Sequence, residues 1–119
     1  MSNNDLDNLK HRLRDFADCR DWDQFHSPKN LAMALSVEAA ELLEHFQWLT
    51  EEQSKNLPQD KCDEVATELA DILLYLVRLA DKLDIDLLDA AQNKFELNGQ
   101  KYPVDKARGN AKKYTEFGL

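Results

Sequence analysis

Two acidic couplets, Glu38-x-x-Glu41 and Glu68-x-x-Asp71, are the residues of this chain whose types and spacing point to chemistry. Each sits in an apolar segment of helical period, Leu31 to Leu49 for the first and Val65 to Leu83 for the second. Three residues apart on a helix is one face, so each couplet aims two carboxylates the same way. Two such helices side by side would focus all of these carboxylates on one spot. Bare carboxylates crowded together repel unless a hard cation sits among them. An oxygen-only donor set suits Mg²⁺ or Mn²⁺.

Glu38 separates this pattern from ordinary surface charge. With Leu31 at zero on a helical wheel and about 100° per residue, Leu35, Leu42 and Leu49 fall within roughly 40° of it, and Glu38 falls about 20° to the other side. Glu38 is therefore in the middle of the apolar stripe. Glu41 lies at its edge and Glu44 further toward solvent. A carboxylate aimed at a core is costly unless it is paired, protonated or metal-bound. The second couplet is less telling. Glu68, Asp71 and Tyr75 share a polar sector with Glu64 and Arg78, and a solvated face also explains that sector.

The elements that must position these groups are all helical. The chain has 119 residues, enough for one domain with a single core, and only three Gly and three Pro. Its apolar residues recur at helical rather than alternating intervals, which predicts an all-α fold. A first helix is expected over about residues 5–20, with Leu6, Leu9, Leu13 and Phe16 inward. Ser27-Pro28 starts a second, Ser as N-cap and Pro at the first helical position, running to about Trp48. Thr50-x-x-Gln53 is a capping box for a short turn of helix. Asp60 is the expected cap of a third helix, central and apolar on most sides, ending near Leu83. Asp86-x-x-Asp89 opens a fourth that should stop at Asn98-Gly99. Pro103 then begins an irregular basic tail, about 104–119. Short connections make successive helices antiparallel neighbours, so the expectation is a single-domain antiparallel bundle of four main helices.

Charge and cysteine content narrow the function classes. The net charge of −8 disfavours binding to nucleic-acid backbone. The charge is uneven: residues 90–119 carry 6 Lys/Arg against 3 Asp/Glu, whereas residues 1–89 carry 9 against 20. A basic C-terminal segment beside an acidic bundle could hold phosphates next to a metal; a polar tail explains the same numbers. Cys19 and Cys62 are too few for a disulfide framework and have no zinc spacing, so they read as reduced, packed thiols. The polar, acidic start has no leader character, and no apolar run is long enough to span a membrane. The expected location is cytoplasmic, with no membrane partner.

The chain resembles the MazG-like all-α nucleoside triphosphate pyrophosphohydrolases. That superfamily carries an E-x-x-E couplet on one helix and an E-x-x-D couplet on the next, and Glu38, Glu41, Glu68 and Asp71 match them. Further stretches are similar to its dCTP pyrophosphatase-like subgroup. These are Arg20-Asp-Trp-Asp-Gln-Phe-His, Asn30-Leu, Glu41-Leu-Leu-Glu-His-Phe-Gln-Trp, Glu68-Leu-Ala-Asp-Ile-Leu-Leu-Tyr-Leu, Tyr102-Pro-Val and Arg108-Gly-Asn-Ala-Lys-Lys-Tyr-Thr-Glu. The similarity spans roughly residues 6–117.

What the resemblance implies is Mg²⁺-dependent hydrolysis of a (deoxy)nucleoside triphosphate, dCTP or a related pyrimidine dNTP, to the monophosphate and pyrophosphate. It implies a homodimer or homotetramer. The metal ligands would be Glu38, Glu41, Glu68 and Asp71, with Glu41 or Glu44 orienting the attacking water. Trp22 and Trp48 would stack on the base, with Phe25, His26 and Tyr75 near it. Lys94, Asn98, Lys101 and Tyr102 would meet the phosphates. One departure falls at Leu13, where animal members carry a base-pocket His, which loosens any expectation of strict cytosine specificity.

Taken as residues alone, these positions keep other readings. Trp22 and Trp48 could be core aromatics, His26 a loop residue, His45 a satisfied core histidine, and the lysines solvated. Tyr114 and Phe117 could anchor the tail on the bundle or on a neighbouring subunit. A di-iron bundle needs Glu-x-x-His motifs, and none is present. The remaining rival is a non-catalytic helical interaction or nucleotide-binding module that uses the acids as a docking face. It requires exposed couplets.

Overall fold

The computed structural model describes residues 5–118, and they contain helices and no strand. Helix α1 spans Asp5–Cys19, α2 Pro28–Glu44, the short α3 Glu51–Ser54, α4 Gln59–Lys82, α5 Leu87–Lys101 and the short α6 Val104–Ala107, with 3₁₀ turns at Asp23–Phe25 and Tyr114–Glu116. The residues preceding Asp5, read above as lacking a leader, and the final Leu119 lie outside the described residues. No helix among the described residues is long and apolar enough to cross a membrane. The chain forms two compact units that divide between Ile85 and Asp86.

In the first unit α4 is the central helix, with both α2 and α1 packed on it. Ala17 of α1, Leu31 of α2, and Val77 and Ala80 of α4 are the buried apolar residues. Three contacts give the sense of the α2–α4 pair. His26, just before α2, meets Arg78 late in α4. Glu38 and Glu41 meet Glu68 at mid-height. His45, just after α2, lies 3.7 Å from Glu64 early in α4. Residue numbers rise on one helix as they fall on the other, so the pair is antiparallel. That alignment brings the two acidic couplets level.

Helix starts follow the local chemistry. The Ser27 hydroxyl accepts from the Asn30 N–H at 3.1 Å, with Pro28 at the first helical position. Thr50 and Gln53 form the full reciprocal capping box. The third long helix starts two residues earlier than expected: Pro58, not Asp60, precedes its first turn, and no side chain caps it. Proline suits that edge because the first N–H groups have no intrahelical acceptor anyway.

Helix ends were less legible. Helix α2 stops at Glu44, not Trp48. The Thr50 box requires extended backbone at residue 50, so the chain must leave the helix before it. The His45 N–H turns to the Leu42 carbonyl at 3.2 Å and the Phe46 N–H to Leu43 at 2.9 Å, a tightened last turn. Gly99 does not stop α5, which runs on to Lys101. Pro103 stops it, because the residue before a proline is forced out of helical geometry.

Helices α1 and α4 end in the same way. The Trp22 N–H reaches back to Ala17 and Asp21 to Asp18, while Ile85 reaches Ala80 and Asp84 reaches Asp81. These are Schellman closures, and they place Asp21 at φ 54° and Asp84 at φ 56°, the left-handed region that favours glycine. At Asp84 the carboxylate also sits against the negative end of the helix dipole. Asp84→Gly is therefore expected to stabilise the protein by up to about 1 kcal/mol. Thermal unfolding should show a rise of a few degrees, and a fall in Tm would mean that the Asp84 side chain has a stabilising partner.

The second unit holds α5, α6 and the C-terminal turn. Asp86 caps α5, accepting from the Asp89 N–H at 3.1 Å. The tail expected to be irregular contains α6 and a 3₁₀ turn, and its aromatics fasten it. The Tyr102 ring meets the edges of Tyr114 at 6.1 Å and Phe117 at 5.7 Å. The tail thus anchors within its own unit. Cys19 and Cys62, expected to be packed, are free and exposed.

Candidate functional site

Glu38 and Glu41 on α2 and Glu68 on α4 each bring a carboxylate oxygen within 4.8 Å of the others, and all three residues are half-buried. Glu38 Oε2 and Glu68 Oε2 are buried and have no hydrogen-bond partner. Buried oxygens of this kind are costly unless something satisfies them. Glu41 beside it, burial, Glu68 and the charge of Asp71 push the Glu38 carboxyl up to about 7. The docking-face reading needs exposed couplets; instead each couplet has one buried oxygen, Glu38 Oε2 and Glu68 Oε2, and all four residues are half-buried. A hard divalent cation fits this donor set, since it would supply the positive partner that both orphaned oxygens lack. Asp71 does not join the tight cluster. Its charge acts on Glu38, and it lines the adjoining cleft.

That cleft, of about 190 Å³, is walled by Leu13, Phe16, Trp22, Leu31, Leu74 and Tyr75, with Glu38, Asp71, His26 and Arg78 as its polar groups. Ligand pockets more often run to about 300–1,000 Å³, so this one has room for a single ring system rather than a whole nucleotide. Glu38 is at once cleft wall and a member of the carboxylate cluster, so whatever fills the cleft lies next to that cluster. A larger hollow of about 580 Å³ lies at the α2–α3–α4 corner, lined by His45, Leu49, Leu57 and Lys61 among others. It holds none of the couplet carboxylates and offers no comparable chemistry.

The cleft is framed by aromatics and fixed by a charge network. The Trp22 ring meets Phe16 edge-on at 5.7 Å and His26 at 6.4 Å. Arg78 is only 4% exposed, which overturns the solvated-face reading of that α4 sector; Glu64 does remain exposed. Its guanidinium donates to Asp23, Asp81 and His26. Arg14 adds a two-bond clamp on Asp81 at 2.6 and 3.1 Å, and Lys82 a bond to Asp23 at 2.8 Å. The Lys82 bond holds Asp23 below its ordinary range, and the Arg14 bond does the same for Asp81. Both acids stay charged at neutral pH, so the network ties α1, the α1–α2 connection and α4 together there.

The structure brings together Trp22, His26, Tyr75, Glu38 and Asp71, and adds Arg78, Phe16 and Leu13 to them. Leu13, the departure noted in the sequence, lines the cleft. Glu44, the last residue of α2, is exposed. Trp48 is 86% exposed and does not line the cleft. Lys94, Asn98 and Lys101 recur at intervals that put them on one side of α5 in the second unit. The Lys101 ammonium sits 4.6 Å from the Tyr114 ring centre, and Tyr102 holds the tail as described.

Arg78 was the residue hardest to find from sequence, since it carries a charge in a sector that reads as polar. The available signal was its place one helical turn beyond Tyr75 and two beyond Asp71, on the same side of α4.

Comparison with known proteins bears on the fold and the family. Residues 33–117 match the MazG-like family. The chain is 42% identical to mouse dCTP pyrophosphatase 1 over 114 residues, covering 94% of this chain and 67% of the mouse protein. With human dCTP pyrophosphatase 1 the identity is 40% over the same shares. A crystal structure of a pyrophosphatase from Archaeoglobus fulgidus superposes with a TM-score of 0.80 at 39% identity, covering 87% of this chain and 96% of that one. The matched residues include both couplets, and the helical fold matches as well: the chain belongs to the MazG-like family.

Proposed function

We propose that this chain, a nucleoside triphosphate pyrophosphohydrolase, acts on dCTP or a related pyrimidine deoxynucleotide, releasing the monophosphate and pyrophosphate in a nucleotide-pool housecleaning role. The observation that carries the reading is the junction of a partnerless carboxylate cluster with a ring-sized aromatic cleft through Glu38. The likeness to mouse and human dCTP pyrophosphatase 1 supports the choice of base.

Glu38, Glu41, Glu68 and Asp71 would hold Mg²⁺, with Mn²⁺ able to substitute. Such an ion supplies neutralisation of triphosphate charge and polarisation of the α-phosphorus. Trp22 and Tyr75 grip the base and fix the distance from the ring to the carboxylates. A cleft this small leaves the triphosphate outside it, running past Glu38 and Asp71. Glu41 accepts the proton of the attacking water, with Glu44 as the alternative at the solvent edge. Lys94, Asn98, Lys101 and Tyr102 are assigned to the phosphates on the family pattern, and the first three also share one side of α5. The net charge of −8 disfavours nucleic acid as a partner, and the proposed location is the cytoplasm.

The deciding assay follows product identity across the common NTPs and dNTPs, with Mg²⁺ and with EDTA. Pyrophosphate should appear as the first product, and activity should vanish in EDTA and return with Mg²⁺ or Mn²⁺. Orthophosphate as first product, or full turnover in excess EDTA, would remove the proposed mechanism.

The same reading includes a homodimer or homotetramer. Trp48 is largely bare, and Met33, Val37 and Leu43 on α2 and Leu69 and Leu73 on α4 are exposed. Apolar surface of this kind suits an interface between copies through α2 and α4. Sedimentation at micromolar concentration should show a species at a multiple of the 13.8 kDa chain mass. A fully active monomer would remove the interface.

A further inference from the structure

The Arg78 side chain has a consequence for His26 that follows from donor and acceptor chemistry. Arg78 is almost wholly buried, and each arm of its guanidinium has a named acceptor. Nη2 donates to Asp23 Oδ1 at 2.7 Å, Nη1 to Asp81 Oδ2 at 3.3 Å and Nε to His26 Nδ1 at 3.1 Å. A guanidinium has donors only and keeps its protons at any ordinary pH. The His26 Nδ1 that faces it must therefore offer a lone pair, since an Nδ1–H would set one N–H against another. A neutral imidazole that accepts at Nδ1 carries its proton on Nε2. The surroundings agree. Burial, then the charge of Arg78, lower the His26 pKa, Lys82 adds to this, and only Asp23 opposes it.

His26 is also part of the cleft wall, edge-on to Trp22. The other polar groups of that wall are two carboxylates, the Tyr75 hydroxyl, the Trp22 indole N–H and Arg78, three of whose five N–H groups are already engaged. We propose that Arg78 is a positioning residue that pins His26 as its Nε2–H tautomer, and that this N–H is a specificity donor to a carbonyl oxygen on the base. The inference rests on the reading of the cleft as the base site. Every pyrimidine nucleobase carries a ring carbonyl, and adenine carries none. The pinned donor thus favours cytosine, uracil or thymine over adenine without any change in the metal site.

The test uses the full-length protein with ¹⁵N-labelled histidine, together with dCTP and dATP kinetics. In the free protein His26 should show a pyridine-type Nδ1 and a pyrrole-type Nε2 across about pH 6 to 8, a range in which an ordinary histidine titrates. Adding a non-hydrolysable α,β-imido dCTP should shift the Nε2–H resonance. His26→Phe keeps a ring but has no donor. Its preference for dCTP over dATP should fall about tenfold, mostly through KM, which is the size of one hydrogen bond in such a site. His26→Gln can present an amide N–H close to the Nε2 position and should restore much of that preference. Arg78→Lys cannot hold three acceptors at once and should give mixed His26 tautomers with a similar loss of preference. If Arg78→Lys does not fold, the wild-type spectrum and the two His26 variants still decide the matter.

An Nδ1-protonated or charged His26 in the free protein overturns the inference. A pinned tautomer with unchanged preference in His26→Phe also overturns it and leaves the base-site reading in place. If Trp22→Ala leaves KM unchanged for every nucleotide, the base-site reading itself falls, and the specificity role of His26 falls with it.

Discussion

Glu38→Gln is expected to lower turnover about a thousandfold or more while leaving the metal-free protein as stable as wild type or more so. The loss of activity follows from removing a proposed metal ligand at the point where cleft and carboxylate cluster meet, since such electrostatic contributions are worth several kcal/mol in the transition state. The stability half follows from linkage. Glu38 titrates near 7 in the folded chain against 4.5 for the ordinary group. Between those values the unfolded chain has released the proton and the folded chain still holds it. Stability therefore falls as pH rises through that window, and above it the folded chain carries the full cost of a charge beside Glu41 and Glu68. Glutamine carries no charge, and its amide can donate to a neighbouring carboxylate. Measured in EDTA, the variant and wild type should melt together near pH 4.5, and the variant should melt higher above pH 7. A large fall in the Tm of the metal-free variant, with turnover retained, would make Glu38 a structural partner and not a ligand.

The same residue shows what sequence could reveal. A carboxylate on the apolar stripe of α2 is a local fact, readable from helical period, and so was the pairing of two couplets. The starts of α2, α3 and α5 were legible for a like reason, since Ser27, Thr50 with Gln53, and Asp86 each bond within three residues of themselves. What stayed hidden depends on partners far along the chain. Arg78 is buried because Asp23 and His26, 55 and 52 residues away, meet it there. Asp81, three residues on, is a partner that α4 itself supplies, but an i,i+3 pair is equally at home in water, and nothing on α4 signals the two distant partners. The end of α2 was misjudged because Phe46 and Trp48 continue its apolar pattern, while the capping box at Thr50 sets a backbone requirement that overrides it. Gly99 misled in the opposite sense. A glycine only permits a helix to stop, whereas Pro103 compels it. Asp71 fell between these cases. Sequence paired it with Glu68 on one side of α4, but Asp71 stays outside the tight cluster of Glu38, Glu41 and Glu68, so its proposed part in metal binding rests on the couplet pattern and on its place on the cleft wall.

Trp22→Ala should raise KM for the preferred nucleotide by roughly tenfold or more and change kcat little. Base–aromatic stacking is worth about 1–3 kcal/mol per base, and the contact is made in the ground state and transition state alike, so its loss is one of uniform binding. The indole is already held in place by Phe16 and His26, and about half of its surface is open. A pre-set ring of this kind loses little side-chain entropy on binding a base. The chain has two Trp residues, so in Trp48→Ala the remaining fluorescence reports on Trp22 alone, and nucleotide should quench it. Trp48 poses a separate question, because its ring is bare in the single chain and lies off the cleft. If a second copy completes the base site with Trp48, then Trp48→Ala should also raise KM, and wild-type KM should rise on dilution below the dimer dissociation constant. If Trp48 instead only seals the interface, its loss should weaken assembly and leave the KM of the assembled protein unchanged. Unchanged KM for several nucleotides in both variants removes the two tryptophans from base binding.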